Sequence, residues 1–232
     1  MTGYVAFIDV LGFAALMDAN FPMRFEAYSK CIGRTVESQQ GLEYVVFSDS
    51  IVINTQEDTP DSLQVITRSC SRLYFELLNE RFPFRGCISH GDYARLTHEH
   101  VKGTVLAGRP LVDAYHYEQV QEWIGIMLSP AVVRQLGSHA DLRPYAVRYP
   151  RIPFKQGTDG QSADYAGFAV VPAETANPNL DDLKHAVDKC RKSVDELVLQ
   201  APDPRSQAKY RATRDFLDEL DRKARDIVPR QP

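Results

Sequence analysis

The sequence predicts an α+β fold, and three observations carry that prediction. Short apolar runs of strand character occur both singly and as turn-linked pairs. Helical stretches fall between them in the order β-α-α-β-β-α-β-β-α-β-α-β. Two long amphipathic helices, Leu180 to Leu199 and Ser206 to Ile227, then follow as a hairpin around Pro202-Asp203-Pro204.

Taken in order, Tyr4 to Val10 reads as a continuous apolar strand of the kind buried on both faces. Gly12 to Asp18 is a short helical turn. Pro22 suits the first turn of a longer helix, Met23 to Gln39, which Gly41 ends. Residues 43 to 55 form a hairpin around Asp49, with Val, Ile and Phe supplying strand propensity on both sides. Thr59-Pro60-Asp61 opens a helix whose stripe of Leu63, Ile66, Cys70, Leu73 and Leu77 faces a sheet, and which stops near Arg81. Phe82 to Asp92 is a strand, His98 to Lys102 a looser polar segment, and Gly103 to Ala107 another short strand. Pro110 starts a helix, Leu111 to Gln121, with Leu111, Ala114 and Glu118 along one face. Gly125 to Leu128 is a strand, Pro130 to Leu136 a helix, and Leu142 to Tyr149 a strand or edge hairpin. Arg151 to Asn179 reads as connector with one strand-like run, Ala166 to Val171. Hairpins and helices packed on one face suggest a sandwich on a ferredoxin-like core, with the C-terminal helices covering the sheet or a partner chain.

Composition narrows the function classes. The 232 residues are 44% hydrophobic and 25% charged, ordinary for a soluble globular protein, and a net charge of −4 gives no support to general nucleic-acid or anionic-membrane binding. Cys31, Cys70, Cys87 and Cys190 are widely spaced, so they read as buried free thiols rather than a zinc ribbon or disulfide framework. No basic leader and no apolar run near the roughly 20 residues a bilayer requires are visible, so a cytoplasmic, soluble chain is expected.

Two carboxylates interrupt apolar strands. Asp9 stands inside Phe7-Ile8-Asp9-Val10-Leu11-Gly12-Phe13, and Asp49 stands between two serines in Val45-Val46-Phe47-Ser48-Asp49-Ser50-Ile51-Val52-Ile53. A buried carboxylate costs several kcal/mol unless it is paired or holds a cation, so the pair suits one or two Mg²⁺ or Mn²⁺ ions against phosphate oxygens. The plainer alternative makes Asp49 a hairpin-turn residue and Asp9 a helix cap. Gly12 and Phe13 begin a helix just after Asp9, which aims backbone N–H groups where a metal-bound phosphate would lie. Arg85 could clamp the same phosphates bidentately, although an Arg before a Gly is commonly a plain surface residue. His90 is better read as packed or turn-bonded than as a ligand, and His98 and His100 receive no role.

FIDVLGF, FSDSIV, RGCISHG and GRPLVDAYHYE, in that order and spacing, resemble the motifs of class III nucleotidyl cyclase catalytic domains over residues 4 to 128. That resemblance implies a cyclase core in residues 1–155, built on a mostly antiparallel central sheet flanked by helices. Residues 156–232 then supply connector, strand and C-terminal helices. It implies a two-metal site held by Asp9, Asp49 and the Val10 carbonyl, backbone phosphate contacts at Gly12 and Phe13, and a phosphate contact at Arg85. It also implies a head-to-tail homodimer with shared sites and a nucleoside triphosphate as substrate.

Departures from the family pattern matter as much. The transition-state Asn and Arg of that family fall at Val112 and His116, its purine-reading position at Val105, and its base-reading Lys near Tyr44 and Val45. A pocket stripped of purine-reading groups, with Tyr44 as a wall, suits a smaller base. The chain therefore looks similar to the bacterial Pycsar pyrimidine cyclases, which make cyclic UMP or cyclic CMP. The expected function is conversion of UTP or CTP to the 3′,5′-cyclic monophosphate, a second messenger that activates a separate effector in anti-phage defence. A purine cyclase and a degenerate nucleotide-sensing module are the alternatives. Donors to replace the missing pair are sought in Arg109, in His116, which could equally be a plain exposed helix residue, and in the tract Arg148, Arg151, Lys155, which follows the last core strand where the resemblance implies a phosphate-binding Lys, making Lys155 a substrate contact.

Overall fold

A computed structural model describes residues 1–37, 40–97, 104–136, 142–155 and 164–228. Among the described residues, eight strands and seven helices follow the expected order: β1 (Thr2–Val10), α1 (Phe13–Ala19), α2 (Phe21–Glu37), β2 (Leu42–Phe47), β3 (Ser50–Thr55), α3 (Pro60–Asn79), β4 (Phe84–Thr97), β5 (Thr104–Gly108), α4 (Arg109–Val120), β6 (Gly125–Leu128), α5 (Pro130–Gln135), β7 (Ala146–Pro153), β8 (Asp164–Val170), α6 (Leu180–Gln200) and α7 (Pro204–Ile227). His98, His100 and the polar segment 98–102 lie outside the described residues, as does Gly103.

Local chemistry sets the helix starts. Thr59 caps α3 by accepting from the Ser62 amide at 3.1 Å, with Pro60 in the first turn. Asn179 and Asp182 form a reciprocal capping box on α6, and Asp203 accepts from the Ser206 amide at 2.9 Å ahead of Pro204 on α7.

The strands run β2-β3-β1-β4-β6-β8-β7, with β5 folded back on β4, and the β4–β6 pair is parallel while the others are antiparallel. On β1, Ile8 and Val10 face α3, whose Tyr74 packs edge-on against Phe84, the cross-strand partner of Val10. Phe7 and Asp9 face the opposite side, where Phe7 meets Tyr115 of α4 at 5.4 Å between ring centroids. Helix α6 packs on α3 and α7, and α7 reaches β7, so the helical hairpin covers the chain's own sheet. Trp123, fully buried, stacks on Tyr149 and meets Phe216 of α7. All four cysteines are free and buried. Among the described residues no helix is long and apolar enough to cross a membrane.

Helix ends shift by one or two residues from the sequence reading, and strand β4 starts at Phe84 and runs on to Thr97, past the expected end at Asp92. The strand expected over Leu142 to Tyr149 starts at Ala146 and continues to Pro153, because Leu142 to Tyr145 closes a turn (Tyr145 N to Leu142 O, 2.8 Å). Pro150 and Pro153 signal an end, but β7 is the sheet's edge and an edge strand tolerates prolines; its pairing is irregular between Tyr149 and Ile152. The run read as a strand within connector is β8, an inner strand between β6 and β7.

Gly86 explains how tightly the sheet closes beside Asp9. A Cβ there would stand 2.9 Å from both Ile8 Cγ1 and Phe7 O. Gly86→Ala is expected to lower stability by about 1–3 kcal/mol through overpacking. Urea denaturation checks this, and an unchanged midpoint would contradict the tight inter-strand fit.

Candidate active site

The end of β1 gathers the residues of interest. Asp9 is half-buried and lies in register between Ser50 of β3 and Arg85 of β4. Asp49 sits in the two-residue loop joining β2 to β3, and its carbonyl accepts from Val10 N at 2.9 Å, which ties the hairpin to the end of β1. The first loop residue, Ser48, has φ 57°, a left-handed conformation that costs a non-glycine residue energy and that tight hairpin turns require. Burial, together with the charge of Asp49, pushes the Asp9 carboxyl above the usual carboxylate range. Arg85 and a long hydrogen bond from Ser50 (3.5 Å) oppose that push.

Gly12, at φ 66°, turns the chain from β1 into α1, and no atom lies within 4 Å of where its Cβ would be. No side chain caps that helix start. Phe13, the first helical residue, packs its ring on Tyr28 at 5.1 Å. Asp9, Val10, Gly12, Phe13, Asp49 and Arg85 therefore share one end of the sheet.

Arg85 is not free to clamp a ligand in this conformation. It is 6% exposed, its Nη2 lies 2.6 Å from Glu118 Oε1, and its Nη1 donates to the Gln121 carbonyl at 3.0 Å. Its Nε has no hydrogen-bond partner among the described residues. Gln121 extends the block, donating to Gly86 O at 2.9 Å and accepting from Trp123 Nε1 at 2.7 Å. Burial raises Glu118 too; Arg85 counteracts it and Asp9 adds to it. Glu118 and Gln121 are the members of this network that sequence reasoning left without a role. The available signal was a carboxylate on the same helix face as Leu111 and Ala114.

Other candidates lie elsewhere. Tyr44 pairs with Ile53 on the α3 face and its hydroxyl meets Ser69 Oγ at 2.9 Å, so it packs behind the sheet instead of walling a pocket beside Asp9. Burial pushes its hydroxyl up to about 12. The sequence signal failed because a one-residue difference in strand register changes the face a side chain takes.

Arg109 pairs with Asp113 at 2.8 Å at the start of α4, beside Pro110, which packs over Gly91. Gly91 pairs with Gly3, six residues along β1 from Asp9, or roughly 20 Å. His116 is exposed on α4. Lys155, at the end of β7, is exposed and its amide donates to Val120 O at 2.7 Å. Arg151 lies 3.5 Å from Glu219, and Arg148 is exposed on β7. His90 meets Asp58 at 2.8 Å and packs on Tyr4, in keeping with a structural role.

The donor set fits divalent ions of hard character. Arg85 is paired with Glu118, which leaves Asp9 and the neighbouring Asp49 without a cation of their own among the described residues at the end of β1, a negative charge that a metal ion relieves. Among the described residues no group of three or more His, Cys, Asp or Glu side chains is placed to share an ion. Ions held by Asp9 and Asp49 would thus draw the rest of their oxygen ligands from backbone, water and phosphate, as Mg²⁺ commonly does.

This fold, a mostly antiparallel sheet with helices on both faces, is that of class III nucleotidyl cyclase catalytic domains. The solved structures that share it include the dimeric guanylyl cyclase domain of a RhoGC fusion protein from the aquatic fungus Blastocladiella emersonii. That likeness has a TM-score of 0.55 at 12% identity, covering 74% of this chain and 96% of that one. The adenylyl cyclase CyaB from P. aeruginosa matches with a TM-score of 0.50 at 13% identity, over 74% of this chain and 94% of its own. An adenylate cyclase from Trypanosoma brucei matches with a TM-score of 0.50 at 13% identity, over 77% and 91% respectively. No protein-family model matches the sequence, and no curated protein matches it.

Proposed function

We propose that the chain is a metal-dependent nucleotidyl cyclase that converts UTP or CTP to the 3′,5′-cyclic monophosphate and pyrophosphate. The observation that carries this reading is the meeting of Asp9 and Asp49 at the end of β1, where Asp9 lies in register with Ser50, the residue after Asp49, and Val10 N donates to the Asp49 carbonyl at 2.9 Å. In the reaction the ribose 3′-oxygen forms a bond to the α-phosphorus, loses its proton, and the bond from that phosphorus to the bridging oxygen of pyrophosphate breaks. Asp9, Asp49 and the Val10 carbonyl would hold two Mg²⁺ or Mn²⁺ ions, which when bound lower the pKa of the 3′-hydroxyl and neutralise the triphosphate. Gly12 and Phe13 supply backbone donors at the helix start.

Arg109, roughly 20 Å along the sheet from Asp9, would act on such a site from a second copy docked head to tail, and the exposed His116 would face that same copy. The exposure of Val112 (61%), Tyr115 (51%) and Phe47 (80%) supports such an apolar contact. The pyrimidine preference rests on the resemblance and on Val105, at the family's purine-reading position, which offers a base no hydrogen-bonding group. The product would act as a messenger in anti-phage defence by activating a separate effector.

Purified protein given each of four nucleoside triphosphates with Mn²⁺ is expected to turn over UTP or CTP about tenfold or more faster, in kcat/KM, than ATP or GTP. Preference for ATP or GTP would make it a purine cyclase. Absence of pyrophosphate from all four would leave only a nucleotide-sensing module.

A further inference from the structure

The end of β7 and the first turns of α7 enclose a groove of about 540 Å³ whose charged lining residues are Glu122, Lys155, Arg205 and Lys209. Helix α7 is fixed there by Thr213, whose hydroxyl accepts from Ile124 N at 2.8 Å and donates to Ile124 O at 3.0 Å. Three cations thus face one carboxylate. Glu122 divides itself between Arg205 (2.8 Å) and Lys209 (3.8 Å), and Lys155 has no ion pair among the described residues. Asp203, next along the helix, spends its carboxylate on the Ser206 amide and hydroxyl. Burial lowers the Lys209 ammonium, and Arg85, Arg205 and Lys155 add to that effect against Glu122. The groove lies directly behind the block that faces Asp9, since Arg85 donates to Gln121 and the next residue, Glu122, lines the groove.

We infer that this groove is a polyphosphate site, with Arg205 and Lys209 of α7 joining Lys155 as donors. A singly charged anion leaves the excess of positive charge unmatched. Two linked phosphoryl groups can meet Lys155, just past the end of β7, and the helix-borne pair, which stand one turn apart. Under the proposed function the occupant is the released pyrophosphate. That identification rests on the cyclase reading, whereas the affinity for polyphosphate does not.

Calorimetric titration of the full chain with inorganic phosphate, pyrophosphate and tripolyphosphate, in low-salt buffer with chelator, tests the site. Without metal, Asp9 and Asp49 repel anions, so binding reports the groove. Pyrophosphate is expected to bind more tightly than phosphate, and Lys209→Ala and Arg205→Ala each to weaken it about tenfold. Glu122→Gln, which removes the competing carboxylate, is expected to tighten it several-fold, an effect a merely structural role does not produce. No pyrophosphate binding, equal affinity for phosphate, or affinity indifferent to all three substitutions overturns the inference. Turnover without such binding sinks the groove alone. Such binding in a protein that turns over no nucleotide sinks the enzymatic reading alone.

Discussion

Asp9→Asn is expected to abolish pyrophosphate release, lowering kcat/KM by about a thousandfold or more, while raising the melting temperature of the metal-free protein. Both effects follow from one carboxylate. Burial and Asp49 hold Asp9 above its ordinary range, so the fold binds a proton there more tightly than the unfolded chain does. Its contribution to stability is therefore present in acid and is lost as pH rises from the unfolded value through the raised folded one. Asparagine keeps the site neutral and escapes that loss. Thermal melts from pH 4 to pH 8 in chelator should show the gap between variant and wild type widening toward neutrality. Mn²⁺ should close it by stabilising the wild type alone. A variant that melts below the wild type at pH 7, or that retains turnover, contradicts the assignment.

Glu118→Leu is expected to be among the most damaging single substitutions. It strands Arg85, 6% exposed, without its ion-pair partner, and breaking such a pair costs about 3–5 kcal/mol. The double variant Arg85→Met with Glu118→Leu should recover most of that loss, because hydrocarbon replaces a desolvated pair without leaving a charge behind. Guanidinium unfolding of the two singles and the double gives the coupling. A single variant within about 1 kcal/mol of wild type would show that the pair is solvated. The recovered double variant should still turn over more slowly, since Arg85 faces Asp9.

Much of the architecture was legible because its signals are local. Thr59-Pro60, Asp203-Pro204 and the alternation around Asp49 each report a cap or a turn without reference to distant chain. Asp9 was legible for a different reason, a carboxylate on a strand where hydrocarbon would pack better, whereas Asp49 stands in the hairpin turn that the plainer alternative gave it. Strand face was not legible, and Tyr44 shows why, because only its register with Ile53 decides which surface it joins. The distance between Arg109 and Asp9 was hidden too. It depends on α4 running back along the sheet so that Glu118, not Arg109, ends near Asp9.

The place of β8 has a consequence for synthesis. Strand β7 is made before β8, its one ladder partner among the described residues, and β6 likewise waits for β8 on one side. During translation the nascent chain therefore carries an unpaired edge beside the completed Asp9 half until about residue 170 emerges. A chain stopped at 155 would keep that edge permanently, and it is expected to self-associate through it instead of remaining dispersed.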